Sequence, residues 1–196
     1  MALSSLEPHP QHDDSLEQYA TEGDLAAQWL LAMHGYGDLH EHHVVDVGAG
    51  NGILGLGAML LGATSAVLID ADEAVCAVAE TNATALGVGA SVLHRHVTTA
   101  QDLSAEAGCT VVANPPWGVR TTGADRPVLN AIFGCSASVV HLMHHADAGH
   151  VEAFAQDAGW ASEEVLRATF RLPPVHAHQR SGRRSTEVVC RRFVRR

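Results

Sequence analysis

The run Val44-Val45-Asp46-Val47-Gly48-Ala49-Gly50-Asn51-Gly52 most limits the folds open to this chain. Three β-branched valines in four residues suit a short buried strand. The glycines after it permit a sharp turn and let backbone approach a ligand closely. A helix over about Ile53–Leu61 follows at once. Strand, glycine turn and helix in that order open a parallel α/β sheet. The alternation continues. Ala66–Asp70 reads as a strand, Asp72–Leu86 as a helix ended by Gly87, and Ser91–Val97 as a third strand. Cys109–Ala113 and Ser138–Met143 read as further strands, with helices over Val128–Cys135 and Asp147–Gly159. Glu163–Leu172 and Ser185–Val194 alternate as a final hairpin. Six or seven strands then form an open, mostly parallel sheet with an antiparallel C-terminal edge. Residues 15–196 read as one domain, including a helix over Asp24–Met33 capped by Thr21 or Asp24. Residues 1–14, polar and with two prolines, read as a disordered arm.

The glycine turn points to a nucleotide-type cofactor. Gly50-Asn51-Gly52-Ile53-Leu54-Gly55 fits the dinucleotide pattern G-x-G-x-x-G, so a nicotinamide cofactor has to be weighed. Asp46, two residues before Gly48, favours S-adenosylmethionine instead. An acid there suits a cationic methionine end and would repel a pyrophosphate. Asp70 ends the second strand, where such folds place the carboxylate that accepts the ribose hydroxyls. Its plainer alternative is a helix N-cap. His96-Val97, after the third strand, stand where the adenine of the cofactor would be met.

Asn114-Pro115-Pro116-Trp117 follows the buried run ending at Ala113. Prolines give no ladder hydrogen bonds, so the strand stops at its carboxyl end, where open α/β sheets bind ligands. An exocyclic amine is a poor nucleophile because its lone pair is delocalised into the ring. The Asn114 side-chain oxygen and the Pro115 carbonyl can accept both amine hydrogens. Trp117 offers a stacking face for a base taken out of its stack. The pattern (Asn or Asp)-Pro-Pro-(aromatic) is that of methyltransferases acting on amino groups of adenine or cytosine, or on a glutamine amide. The next loop, GVRTTGADRP over residues 118–127, could close on a substrate and bring Arg120 or Arg126 near a phosphate, or simply lie on the surface.

All twelve basic residues are arginine, and the net charge is −10. Residues 1–178 hold five arginines against twenty-one acids, −16, and residues 179–196 hold seven arginines against one acid, +6. An acidic, lysine-free chain rich in alanine and histidine suggests a salt-adapted, halophilic protein. The basic end, Arg180, Arg183, Arg184, Arg191, Arg192, Arg195 and Arg196, suits phosphate contacts, or is a solvated terminus. Scattered Cys76, Cys109, Cys135 and Cys190 read as reduced, buried thiols of a cytoplasmic protein. No apolar run of about eighteen residues or more is present to cross a membrane. His141, His144, His145 and His150 invite a metal, but no acid or cysteine stands at a ligand spacing to them, so no metal is expected.

Leu16-Glu17-Gln18-Tyr19-x-Thr21, Asp46-Val47-Gly48-Ala49-Gly50-Asn51-Gly52, Asp70-x-Asp72 and Asn114-Pro115-Pro116-Trp117-Gly118 come in the order and spacing of one family. From about Leu16 to Val194 the chain resembles the methyltransferase-like protein 5 family, adenosine-N6 methyltransferases of small-subunit ribosomal RNA with archaeal relatives. The resemblance implies a Rossmann-like, seven-stranded class I methyltransferase fold using S-adenosylmethionine. It implies that Gln18, Thr21, Gly48, Asn51, Ile53, Asp70, His96 and Val97 meet the cofactor, beside Asp46 and Gly50 of the glycine turn. Asn114, Pro115, Pro116 and Trp117 would hold the target adenine. The loop and the basic tail, not the resemblance, put Arg120, Arg183 and Arg184 on the RNA. This chain departs from the family in having His96 for a common Asp, Trp117 for the usual Phe and Ala20 for a common Pro. The family's eukaryotic member depends on a small zinc-binding activator protein that covers an apolar sheet edge. The rivals are protein glutamine-N5 methylation, which uses the same turn, and a non-catalytic RNA-binding module.

Overall fold

The computed structural model describes residues 3–8, 21–117, 123–172 and 184–196. Seven strands form one sheet: β1 (His43–Val47), β2 (Ser65–Asp70), β3 (Ser91–His94), β4 (Thr110–Ala113), β5 (Val139–His145), β6 (Trp160–Leu172) and β7 (Arg184–Arg195). Their order is β3-β2-β1-β4-β5-β7-β6. The first five pair in parallel, and β7 lies antiparallel between β5 and β6. The helices are α1 (Gly23–Gly35), α2 (Ile53–Leu60), α3 (Glu73–Leu86), α4 (Arg126–Gly134) and α5 (Gly149–Asp157). This is the expected seven-stranded, mostly parallel architecture.

The two faces of the sheet follow from the strand alternation. Val45, Val47, Val111, Ala113, Val140 and Leu142 join α4 and α5 in one core that includes Ile132, Phe133, Trp160 and Phe193. Val44, Val112 and Met143 point the other way, against α1 and the start of α2. Leu68 and Ala66 meet Ala79 and Ala83 of α3 on that same face. Burial of these apolar groups is the main force holding the layers together.

Two local expectations need correction. The third strand ends at His94 rather than Val97, because β2 itself turns away after Asp70; Arg95 gives one last bond to the Asp70 carbonyl at 2.7 Å. Neither Thr21 nor Asp24 caps α1. Its N-cap is Glu22, which makes no side-chain cap bond, and Asp24 lies within the first turn. In the arm expected over residues 1–14, the described residues 3–8 contain a 3-10 turn at Leu3–Ser5, and Leu3 and Leu6 pack against the α1 core.

Candidate active site

The glycine turn sits between β1 and α2, and its geometry explains its composition. Gly52 has φ +84°, and a Cβ there would come within 2.8 Å of the Leu68 side chain. Gly55 lies in the first turn of α2 with its backbone against Asp46, where a Cβ would meet the carboxylate at 3.1 Å. That approach lets the Gly55 N–H donate to Asp46 Oδ2 at 2.7 Å, tying β1 to α2. Asp46 is 1% exposed, and its Oδ1 has no hydrogen-bond partner among the described residues. Burial pushes its carboxyl up to about 7, against the Gly55 hydrogen bond, with the Asp70 charge adding to the rise. A buried carboxylate with an unpartnered oxygen suits a cation.

Asp70 ends β2 and reaches both neighbours. Its Oδ2 accepts the Gly50 N–H at 2.9 Å and its Oδ1 the Asp72 N–H at 3.0 Å. The N-cap of α3 is Asp72, which accepts from Ala74 and Val75, so the plainer alternative for Asp70 belongs to its neighbour. Carboxylate oxygens carry further acceptor sites, so the brace on Gly50 is compatible with ribose hydroxyls. Gly48 has φ +69° and lies beside the Asn114 carbonyl. Ile53 is buried at the start of α2. His96 is exposed and Val97 half-buried, in the coil after β3.

Asn114, Pro115, Pro116 and Trp117 leave β4 as coil. The Asn114 carboxamide is held at both ends. Its Nδ2 donates to Thr21 Oγ1 at 3.2 Å, and its Oδ1 accepts the Trp117 indole N–H at 3.1 Å. Thr21, expected as a cap or cofactor lid, is placed against the Asn114–Trp117 turn. Trp117 is only 5% exposed, with Phe170 edge-on at 5.0 Å and the His144 ring at 6.4 Å. A base would have to displace part of this packing to lie on the indole face.

Residues that the sequence did not single out complete the surroundings. Asn82 of α3 is 1% exposed. It donates to the Asn51 carbonyl at 2.9 Å and to the Glu7 carbonyl at 3.2 Å, and accepts the Glu7 N–H at 2.8 Å. Asn51 Nδ2 also donates to the Glu7 carbonyl, at 3.0 Å. One buried amide thereby joins the N-terminal segment to the glycine turn. Its sequence signal was an amide on the apolar stripe of Val75, Cys76, Ala79 and Ala83. A cavity of about 350 Å³ opens between this segment and the helices, with Leu3, Leu6, Thr21, Asp24, Asn51 and Ile53 in its lining.

The histidines gain an acid that sequence spacing could not reveal. Asp125, buried just before α4, lies 2.5 Å from His150 Nε2 and 3.3 Å from His144 Nε2. His144 Nδ1 accepts the His145 N–H at 2.9 Å, so the neutral ring carries its hydrogen on Nε2, towards the carboxylate. Burial pulls the imidazole down to about 4, keeping it neutral. Ligation by His144 Nε2 would need the lone pair that this arrangement gives up. These three form the one cluster of metal-ligating types among the described residues.

The basic end is a partial correction. Arg192 binds Asp38 through two bonds and Glu163 through a third, and Arg191 pairs with Glu152 at 2.9 Å. Arg195 lies over the Trp160 ring and donates to the Cys135 carbonyl. These side chains are spent on the fold. Arg184, at the start of β7, lies past the level of His145, on the side of the sheet where β4 ends. Gln18, Arg120 and Arg183 lie outside the described residues. The four cysteines are buried and free, as the reduced-thiol reading expects. No described helix is long and apolar enough to cross a membrane.

The donor set fits S-adenosylmethionine: an orphaned buried carboxylate, a glycine turn under an acid ending β2, and a cavity touching Thr21, Asn51 and Ile53. An open sheet of this order with that turn defines a class I, S-adenosylmethionine-dependent methyltransferase. The family profile of PrmA, ribosomal protein L11 methyltransferase, matches residues 24–115. Over nearly its whole length the chain is 26% identical to the rRNA N(6)-adenosine-methyltransferase METTL5 of Danio rerio, covering 99% of each. An uncharacterized protein of Methanocaldococcus jannaschii is 29% identical over 90% of this chain and 83% of its own. An RNA methyltransferase candidate from Pyrococcus horikoshii superposes with a TM-score of 0.87 at 28% identity, covering 99% of this chain and 94% of that one. The chain is thus similar along nearly its whole length to a member of the methyltransferase-like protein 5 family.

Proposed function

We propose that this protein methylates the N6 amine of an adenine in small-subunit ribosomal RNA. Full-length similarity to METTL5, which takes in the Asn-Pro-Pro-Trp turn and the C-terminal hairpin, is the observation that carries this reading. The PrmA match stops at Pro115 and so speaks to the cofactor half. Protein glutamine methylation stays the rival reading, because that half is common to both.

S-adenosylmethionine supplies an electrophilic methyl group when bound. Asp46 and Asp70 would hold its cationic and ribose parts, with Gly48, Gly50, Asn51, Ile53, Thr21 and Gln18 around the methionine end and His96 and Val97 at the adenine. Asn114 Oδ1 and the Pro115 carbonyl accept the two hydrogens of the target amine. This draws its lone pair out of conjugation and orients it, and positioning supplies most of the rate. Pro116 stiffens the turn, and Trp117 closes the pocket beside the base. No described group is placed as a strong base, and the proton leaves to water after transfer. Arg120, Arg183 and Arg184 are assigned to RNA phosphates. A small zinc-binding activator would cover an edge of the sheet, and β3 and β6 are its two edges among the described strands. The acidic, lysine-free composition fits a halophilic archaeal cytoplasm.

Asn114→Ala tests the reading. Methyl transfer to RNA is expected to be lost while S-adenosylmethionine binding, read by calorimetry, is retained. Parallel loss of both would remove Asn114 from its assigned role.

A further inference from the structure

We propose that Trp117 is a positioning residue that fixes which end of the Asn114 carboxamide is the acceptor. This rests on the reading of Asn114 as the group that receives an amine hydrogen. A carboxamide has an oxygen that accepts and a nitrogen that only donates. Turned by half a rotation, Asn114 would present a donor to an amine that needs an acceptor. The two orientations have similar shape, so packing alone distinguishes them poorly.

Two tethers on this amide come from the described residues Thr21 and Trp117, and they differ in kind. Thr21 Oγ1 receives the Asn114 Nδ2 at 3.2 Å, but a hydroxyl can donate or accept and tolerates either orientation. The indole Nε1–H can only donate. At 3.1 Å from Asn114 Oδ1, it demands an oxygen at that position. A flipped amide would set two donors against each other and lose the bond. The indole direction is itself fixed, by Phe170 edge-on at 5.0 Å with an interplanar angle of 72° and by burial to 5% exposure. A carboxamide oxygen has two lone pairs, so accepting the indole N–H is compatible with accepting an amine hydrogen. A phenylalanine at residue 117 would fill the site and offer a ring, but could not select the orientation. The tryptophan thus preorganises the acceptor before the substrate arrives.

The test is a double-mutant cycle in the full-length chain, with S-adenosylmethionine and small-subunit ribosomal RNA. Trp117→Phe is expected to lower kcat by about five- to tenfold, the value of one oriented hydrogen bond, with the KM for S-adenosylmethionine unchanged. The same substitution is then made in the Asn114→Asp background. A carboxylate has acceptors at both ends, so orientation no longer matters, and the penalty, read as a ratio within that background, should shrink below about twofold. An equal penalty in both backgrounds would show that Trp117 acts through packing alone and would overturn the proposal. Asn114→Ala separates the two levels of the argument. If it leaves kcat unchanged, the assigned role of the turn fails. If it abolishes turnover while Trp117→Phe works at the parent rate, only the orienting role fails.

Discussion

Two buried aspartates, Asp38 and Asp46, sit at opposite ends of the central strands and meet opposite fates. Asp38 precedes β1, where the strands begin. Its carboxylate receives two bonds from Arg192, at 2.7 and 3.0 Å, and one from His141 Nε2 at 2.7 Å. Its backbone carbonyl accepts from Thr110 at the start of β4. Arg192 continues to Glu163 and lies over the Tyr36 ring. Burial would raise the Asp38 carboxyl, but the His141 and Arg192 hydrogen bonds outweigh it and hold it below its ordinary value. Asp46, near the other end of β1, has one backbone hydrogen bond, an orphaned oxygen and a carboxyl pushed up to about 7. At the saturated end Asp38 links the end of α1 to β4, β5, β6 and β7, although His141 Nδ1, on the far side of that ring, has no partner among the described residues. The unsaturated end keeps binding capacity in reserve, at a cost to the cofactor-free fold.

The largest effect that this contrast predicts is at Asp38. Asp38→Ala leaves Arg192 without its main partner and His141, fully buried in β5, without an acceptor. Unfolding free energy should fall by about 3–5 kcal/mol, measured by denaturant titration. A loss under about 1 kcal/mol would mean that the network is solvated and contributes little.

A second effect, opposite in sign, is expected at Asp46. A carboxyl whose folded value is raised supports the fold while protonated, below its ordinary value near 3.8. That support is lost as pH rises through about 7. Asp46→Asn should therefore melt higher than the parent without cofactor, with the gap widening from pH 4 to pH 7. The same variant should bind S-adenosylmethionine more weakly, because the cation loses its counter-charge. A gap that does not change with pH, or unchanged cofactor affinity, would remove the distinction between the two aspartates.

The saturated end was hard to read from the sequence, and the binding end was easier, for a physical reason. Glycine turns and prolines at strand ends are local signals, so the β1–α2 turn and the Asn114–Trp117 turn were legible, as was a mostly parallel sheet with an antiparallel C-terminal edge. Pairings across the chain leave no local trace. Arg192 finds Asp38 154 residues away, which is why the terminal arginines read as a phosphate patch. Asp125 and His150 are 25 residues apart, and the acid beside the histidines went unseen for the same reason. Thr21 looked like a helix cap because its partner, Asn114, lies 93 residues on. The start of β6 was missed because Ser162, Glu163 and Glu164 interrupt the apolar alternation, just before the register shift between Glu164 and Leu166.

The most direct test of the central claim is radiolabelled methyl transfer from S-adenosylmethionine into small-subunit ribosomal RNA and total protein, in high salt. The assay is run with and without a small zinc-binding activator, and product nucleosides are identified by mass spectrometry. The account predicts N6-methyladenosine in the RNA, absent with Asn114→Ala. Label in protein glutamine, or no label in RNA under either condition, would contradict it.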